Sequence, residues 1–420
     1  MRRVIILVCS VMLTAPACLF AEPLTVVQTW QSPNEIKAFN VLETRFSESN
    51  LTITTLQPSA ASLDGSEAIK GLANGLAETP TLISLSNEEL RQWYDLRQLH
   101  SLTQIAQEQN WAERIPPEIL ETVTHRGQII AAPISVHTSN WVWANKQLVD
   151  ATGIDYQASW NDLLTMLQAI ADSDLTPIAH DGSSDQDLLI FETIYLADFG
   201  APKYTELFDQ LNQTALRNAE DDFNAVLTKM AQLKPFIQRL DENAGWHEAI
   251  AMLTANTAGL VIQGDWAHGE LARQGRIANQ HYYCTAFPGE HDALSLRVDA
   301  IAALNARSQP MTPEQRRALN VVMDTDAQYF FNNYKGGLPA ISGTGLESIS
   351  ECLQFAVQRK QQALSAGNLV PSLSQGMAVR DVIRREIAAV IHTFMTSDQA
   401  PIDAADELQK RMKYAAYLIN

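Results

Sequence analysis

The stretch from Leu24 to Phe46 sets the terms for the rest of the chain. Leu24-Thr-Val-Val-Gln-Thr29 is rich in β-branched residues and reads as a strand. Ser32-Pro33-Asn34-Glu35 follows. Ser32 suits an N-cap, Pro33 suits the first helical position, and Glu35 three residues on completes a capping box. Ile36, Phe39, Leu42 and Phe46 then recur at helical spacing. A strand running into a capped amphipathic helix is the unit of α/β folds. The alternation continues, with a strand expected over Gln128 to Val136, a helix over Trp160 to Ala171, and a strand over Ala258 to Gln263 with a helix after Asp265. Helices are expected over Pro313 to Phe331, Ser348 to Ser365, Val379 to Met395 and Ala404 to Ala416. At 420 residues the chain exceeds what one core usually holds. It shows no short-period repeat, low-complexity tract or long linker, which points to two lobes joined by several short crossings.

Upstream of that unit, Arg2 and Arg3 precede a mostly apolar run from Val4 to Leu13, and small residues follow at Ala15, Ala17 and Ala21. This is the order of a secretory signal, expected over residues 1–21, and its apolar core is too short to span a bilayer. Cys18 after Ala17 would suit a lipid anchor, but the residues before it make a poor lipobox. The expected destination is therefore the periplasm, as a free protein and a monomer. The net charge of −18 argues against nucleic acid and anionic lipid as partners and says little about a neutral ligand. Cys284 and Cys352 lie beyond the leader, where an oxidising compartment permits pairing, and sequence leaves their separation open.

Enzyme signatures are lacking. There is no Gly-x-Ser-x-Gly, no phosphate loop and no dinucleotide fingerprint. His247-Glu248 begins like a zinc-protease helix, but Ala251 stands where the second histidine belongs. His268-Gly-Glu270 lacks the downstream cysteines of a zinc deaminase. No metal, cofactor or catalytic activity is expected. What remains is aromatic residues next to polar ones just past strands: Trp30 near Glu35; His137 followed by Asn140, Trp141 and Trp143; Gly264-Asp265-Trp266. A sugar presents apolar C–H faces and a rim of hydroxyls, so it needs such pairings in a concave site. In open α/β sheets ligands sit at the carboxyl ends of strands. Each residue also has a plainer reading. Glu35 can simply cap its helix, Asp265 can cap the next one, Trp141 and Trp143 can share a core-facing strand side, Trp266 can be core, and Lys335 can sit in a solvated turn.

With these residues in view, the chain resembles the family 1 extracellular solute-binding proteins of ABC transporters, in the glucose/mannose-type branch. The resemblance runs through Trp30-Gln-Ser-Pro-Asn-Glu35, Val136-His137-x-x-Asn140-Trp141-x-Trp143-x-Asn145-Lys146, Pro177-Ile-Ala179 and Gly264-Asp265-Trp266-Ala267-x-Gly269-Glu270. It continues through Phe287-Pro288-Gly289 with Asp299, Lys335-Gly336-x-x-Pro339, Val370-Pro371-Ser372 and Gly376-Met377-Ala378. It implies the two-lobed periplasmic binding protein fold, a ligand cleft between lobes joined by crossing strands, and delivery of a mono- or oligosaccharide to a membrane permease. Lobe 1 would comprise residues 22–136 plus 290–338, and lobe 2 residues 137–289 plus 339–420. The ligand contacts carried over are Trp30, Glu35, His137, Asp265, Trp266 and Lys335, with Asn140, Asp299 and Gln375 behind them, and Cys284 and Cys352 fall where this branch carries a disulfide.

The departures bear on the ligand. Thr29 stands for a frequent second tryptophan, Ser84 for a glutamine, Asp185 for a tryptophan, Ile341 for an arginine, and Gln375 for a histidine. Aromatic and polar contacts are lost while the scaffold motifs persist, which points away from glucose. A ligand sensor signalling to a membrane receptor or kinase, on the same scaffold, is the alternative role; a secreted saccharide hydrolase is a further one, opposed by the absent motifs.

Overall fold

The computed structural model describes residues 23–56, 81–85, 87–241, 244–305, 309–342 and 350–419. The leader, including Arg2, Arg3 and Cys18, lies outside the described residues. Strands follow one another as β1 (Leu24–Val27), β2 (Ile53–Leu56), β3 (Leu82–Leu85), β4 (Thr124–His125), β5 (Gln128–Ile129), β6 (Ala132–Thr138) and β7 (Trp141–Asn145). Then come β8 (Thr176–His180), β9 (Ile237–Arg239), β10 (Ala258–Gln263), β11 (Tyr282–Thr285), β12 (Leu294–Ala303), β13 (Leu338–Pro339) and β14 (Leu369–Pro371). They form two main sheets. The first runs β13-β6-β12-β3-β1-β2, with β14 added to β12; the second runs β11-β7-β10-β8-β9. Both are mixed: β1 is parallel to β2 and β3, while β12 is antiparallel to β3 and β6.

Each sheet carries its own helices. The helix Pro33–Glu48 opens with both hydrogen bonds of the capping box at Ser32 and Glu35, and it buries Phe39, Leu42 and Phe46. Those side chains share a core with Leu24 and Val26 of β1 and with Phe331 of the Thr325–Lys335 helix. The second sheet is covered by helices Trp160–Ala171, Ser184–Tyr204, Glu220–Leu233, Asp381–Thr396 and Pro401–Ile419, whose apolar sides make one core with Val142, Ile178, Leu260 and Ile262. On its other side Trp141 and Trp143 pack with Val261, Leu271 and Cys352. Both tryptophans are fully buried, their rings 6.4 Å apart, so the core-facing reading of this pair holds.

Two expected elements come out divided. The strand expected over Gln128 to Val136 is β5 and β6. The break falls at Ile130 and Ala131, because β5 pairs with β4 in a small hairpin, which the Ile130 N–H continues to the Val123 carbonyl at 2.9 Å, whereas β6 joins the first main sheet. The helix expected over Pro313 to Phe331 is two, Pro313–Val322 and Thr325–Lys335, because the Asp324 carboxylate accepts the Ala327 N–H and caps a second helix.

The chain passes between the sheets more than once. It leaves β6 for β7 through Ser139 and Asn140, and leaves β11 for β12 through residues 286–293. Residues 369–371, within the stretch expected wholly in the second lobe, form β14 of the first sheet before the chain returns to the helices on the second. These passages are tied to one another. Asn140 Nδ2 donates to the Ala293 carbonyl at 2.8 Å and its Oδ1 accepts from the Ser295 N–H at 3.1 Å. Ser139 Oγ donates to Ser372 Oγ at 3.1 Å and lies 2.5 Å from Ser295 Oγ. Ser372 also donates to the fully buried carboxylate of Glu192, which accepts the backbone N–H groups of Leu373 and Ser374 and the Tyr204 hydroxyl as well. Burial pushes the Glu192 carboxyl upward against those donors.

Candidate functional site

Most of the expected residues meet where the sheets face each other, in one connected polar network. Its centre is Asp299 on β12, 3 % exposed. Asp299 Oδ2 accepts from Trp30 Nε1 at 3.3 Å, stands 3.6 Å from His137 Nε2 and 3.7 Å from Lys335 Nζ, and Oδ1 accepts from Arg297 Nε at 2.8 Å. Lys335 donates to Glu35 Oε1 at 2.8 Å, while Glu35 Oε2 accepts from the Ser32 N–H and hydroxyl. Glu35 thus caps its helix and holds an ammonium from a helix 300 residues away.

The second sheet enters through Asp265, just past β10. Its Oδ1 lies 2.6 Å from His137 Nδ1, and Oδ2 accepts from the Thr138 N–H at 2.8 Å and the Thr138 hydroxyl at 3.1 Å. The Asp265 N–H in turn donates to the Thr138 carbonyl at 2.9 Å. Asp265 is therefore a clasp on the end of β6; the cap position of the following helix, Ala267–Arg273, belongs to Trp266. The Trp266 ring meets His137 edge-on at 5.7 Å and lies against Gly264, where a Cβ would come within 2.2 Å of the ring. Gly264 is needed for that close approach.

The titratable groups are set by this packing. Burial works against the Asp299 carboxylate, but Arg297, Lys335 and His137 outweigh it and hold the carboxyl well below its ordinary range. Burial likewise opposes Glu35, and the charge and hydrogen bond of Lys335, with Ser32, bring it below normal. Burial pushes His137 down and Asp265 pushes it up; with Asp299 added and Lys335 opposing, the net direction is up. With His137 protonated, the carboxylates of Glu35, Asp265 and Asp299 face the cations of Lys335, Arg297 and His137, a balanced set.

Three expected residues sit differently from the rest. Trp30 is 2 % exposed, its ring packed on Phe331 at 5.2 Å and Phe39 at 6.0 Å, so only its N–H reaches the network. Asn140 stands in the passage between sheets with both ends of its carboxamide engaged there. Gln375 joins from the edge, accepting from Arg297 Nη1 at 2.8 Å. Arg297, Ser135 and Thr138 were not singled out from sequence. Ser135 Oγ lies 2.9 Å from His137 Nε2 and donates to Asn332 Oδ1 at 2.5 Å. Arg297 had a signal: it and Asp299 are charges two residues apart inside the apolar strand Leu294–Ala303, hence on one face of it.

Cys284 on β11 and Cys352 at the start of the Glu351–Ala366 helix are joined in a disulfide, Cα atoms 6.0 Å apart. Among the described residues no helix is long and apolar enough to cross a membrane.

Comparison with known proteins places this geometry among relatives. A family model described as bacterial extracellular solute-binding protein matches residues 32–308. A probable sugar-binding periplasmic protein of Rhizobium meliloti is 27 % identical over 403 residues, covering 96 % of this chain and 96 % of the relative. One with the same description from Brucella melitensis biotype 1 is 27 % identical over 385 residues, covering 91 % and 90 %. Among solved structures, the bacterial solute receptor AcbH, described as having an exclusive preference for β-D-galactopyranose, superposes with a TM-score of 0.75. It does so at 14 % identity over 94 % of this chain and 99 % of that one, a likeness of fold.

Proposed function

The chain belongs to the bacterial extracellular solute-binding proteins, and from that membership we propose that it captures a sugar between its two sheets in the periplasm and delivers it to the permease of an ABC transporter. The observation that carries the reading is the network uniting Glu35, His137, Asp265, Asp299 and Lys335 from both sheets, with Trp266 at its edge. Such a set offers charged hydrogen-bond partners for hydroxyls and an aromatic face for C–H groups, in a place where water is excluded and such bonds are strong. With His137 protonated its charges balance internally, which suits an uncharged sugar: an ionised ligand would bring a charge without a counterpart. The descriptions of the relatives as sugar-binding support the same class. The ligand-contacting set is taken as Trp30 (through its N–H), Glu35, His137, Asp265, Trp266, Asp299, Lys335 and Gln375, with Asn140 fixing the passage beneath it. The lobes are taken as residues 22–136 with 290–338, and 137–289 with 339–420, less the residues of β6, β13 and β14 that lie in the first sheet, and residues 1–21 as the leader that directs export.

Thermal melting against a panel of neutral mono- and oligosaccharides tests this. A ligand bound only by the folded chain raises the melting temperature by mass action. Trp266→Ala should weaken that sugar by about 2 kcal/mol or more, as at a binding hot spot, and, as the side chain is only 7 % exposed, should lower the melting temperature of the free protein as well. A panel without any stabilising sugar refutes the sugar reading. A large melting loss with unchanged affinity would return Trp266 to the core.

A further inference from the structure

A groove of about 580 Å³ lies beside the network, on the far side of the contact between Gly269 and Tyr334. Helices from both sheets line it. Asn34 and Lys37 come from the Pro33–Glu48 helix and Tyr334 from the Thr325–Lys335 helix, on the first sheet. His268 and Arg273 come from the Ala267–Arg273 helix, Arg276 from the turn after it, and Glu351 from the helix anchored by Cys352. Its volume is that of a small-molecule site, typically about 300–1,000 Å³.

The groove's polar groups are unevenly matched. Lys37 is exposed and has no ion-pair partner among the described residues. Arg276 Nη2 donates to the Thr254 carbonyl at 2.7 Å, but its Nε is buried without a partner. His268 is 6 % exposed; its Nε2 lies 2.6 Å from Ser350 Oγ, and its Nδ1 is buried and unpartnered. Burial holds this imidazole down at about 4, so at neutral pH it is uncharged and one of its two ring nitrogens carries the proton. The Lys37 ammonium and the Arg276 Nε–H are donors. Two carboxylates stand nearby: Glu351 takes the Asn279 carboxamide on Oε2, and Glu270 takes Arg273 Nε at 2.9 Å and Gln274 at 2.8 Å. A buried donor without an acceptor costs about 1–3 kcal/mol, so a groove that leaves the Arg276 Nε–H open favours an acceptor from outside. In a chain of net charge −18, the groove sets Lys37, Arg273 and Arg276 against Glu351 and the Glu270 that pairs with Arg273, an excess of positive charge.

We infer that this groove is a second small-molecule site, for a ligand carrying an oxyanion group, a carboxylate or a phosphate. Lys37 supplies charge from the first sheet's side; Arg276 supplies charge and a hydrogen bond from the second, beside the neutral His268 ring. An anion there links helices of both sheets and stabilises their closed arrangement, so it acts as an effector of closure. The site does not depend on the identity of the sugar.

The test is calorimetric titration of inorganic phosphate and, separately, citrate into the sugar-free full-length mature protein at neutral pH and constant ionic strength. A single saturable site is expected for at least one of them. A phosphate-only response assigns a phosphoryl ligand, a citrate-only response a carboxylate one. Lys37→Glu and Arg276→Gln should each weaken the response roughly tenfold or more, while Lys203→Gln, on a distant helix, should leave it unchanged. Should Arg276→Gln fail to fold, Lys37→Glu, at an exposed position, carries the test alone. Phosphate or citrate should also move the His268 imidazole nitrogen resonances where chloride does not. Absence of saturable binding for both anions, or affinity unaltered in Lys37→Glu, overturns the inference. Neither result touches sugar binding, which is read in anion-free buffer.

Discussion

Exchanging Lys335 for methionine would keep the unbranched stem and remove the ammonium that stands 2.8 Å from Glu35 Oε1 and 3.7 Å from Asp299 Oδ2. At an effective dielectric of about 20 these separations correspond to gross attractions of about 6 and about 4.5 kcal/mol. Most of that is offset. The ammonium, 3 % exposed, no longer bears its desolvation cost of several kcal/mol, and its repulsion of His137 is relieved. Asp299 keeps Arg297 and the Trp30 N–H; Glu35 keeps its Ser32 donors and the Gln31 N–H, none of them charged. The expected net loss is that of a buried pair with one partner removed, about 3–5 kcal/mol. Urea unfolding across pH reads it. In the parent protein the carboxyls of Glu35 and Asp299 lie below their unfolded values, so their contribution is present above the unfolded carboxylate range and is lost as pH falls through the folded values. Without Lys335 both carboxyls rise, Glu35 most. The gap between variant and parent should therefore be widest near neutrality and shrink in acid. A gap below about 1 kcal/mol at neutral pH, the scale of an exposed pair, would refute the reasoning; so would one that does not change with pH.

Replacing both Cys284 and Cys352 by alanine opens a crosslink with a separation of 68 residues and should cost about 4 kcal/mol on the chain-entropy estimate; melting with and without reductant measures it, and reductant should have no effect on the variant. Gly269→Ala would place a Cβ 2.3 Å from the Tyr334 carbonyl oxygen and 2.8 Å from Asn34 Nδ2, so the helices must part. A cost of about 1–3 kcal/mol and a larger radius of gyration by small-angle scattering are expected, and an unchanged radius would place the strain elsewhere. His137, with its pKa raised, contributes stability that is full below its unfolded value and is lost as pH rises through the folded one. His137→Gln should therefore flatten the alkaline side of the stability profile, and an unaltered alkaline limb would count against a protonated His137.

What could be read from the sequence was what the chain settles locally. The capping box at Ser32 and Glu35 involves three consecutive helical positions, and the structure forms both of its hydrogen bonds. The strand Ala258–Gln263 and the helix Trp160–Ala171 appear with the expected bounds because each carries its own period and its own stop. What stayed hidden depends on partners far along the chain. Trp30 could equally face a cleft or a core, and its place was settled by Phe331 and Asp299, some 300 and 269 residues on. Asn140 lay beside residues of the network and was read with them, yet its carboxamide is used by Ala293 and Ser295, in a passage that exists only once the two sheets are assembled. Asp265 had a local reading as a helix cap; the backbone of Thr138, 127 residues earlier, gives it a different task.

The position of β12 in the first sheet governs the order in which the molecule can be finished. It is the long strand that joins β6 on one edge to β3 and β14 on the other, and it begins only at Leu294. Until that residue has left the ribosome, β3-β1-β2 and β6 are unconnected halves with open edges, however long they wait. Contacts of such separation form slowly, and unpaired edges invite mispairing meanwhile. A chain arranged in this way closes its first sheet late, when the strand that unites the two halves arrives.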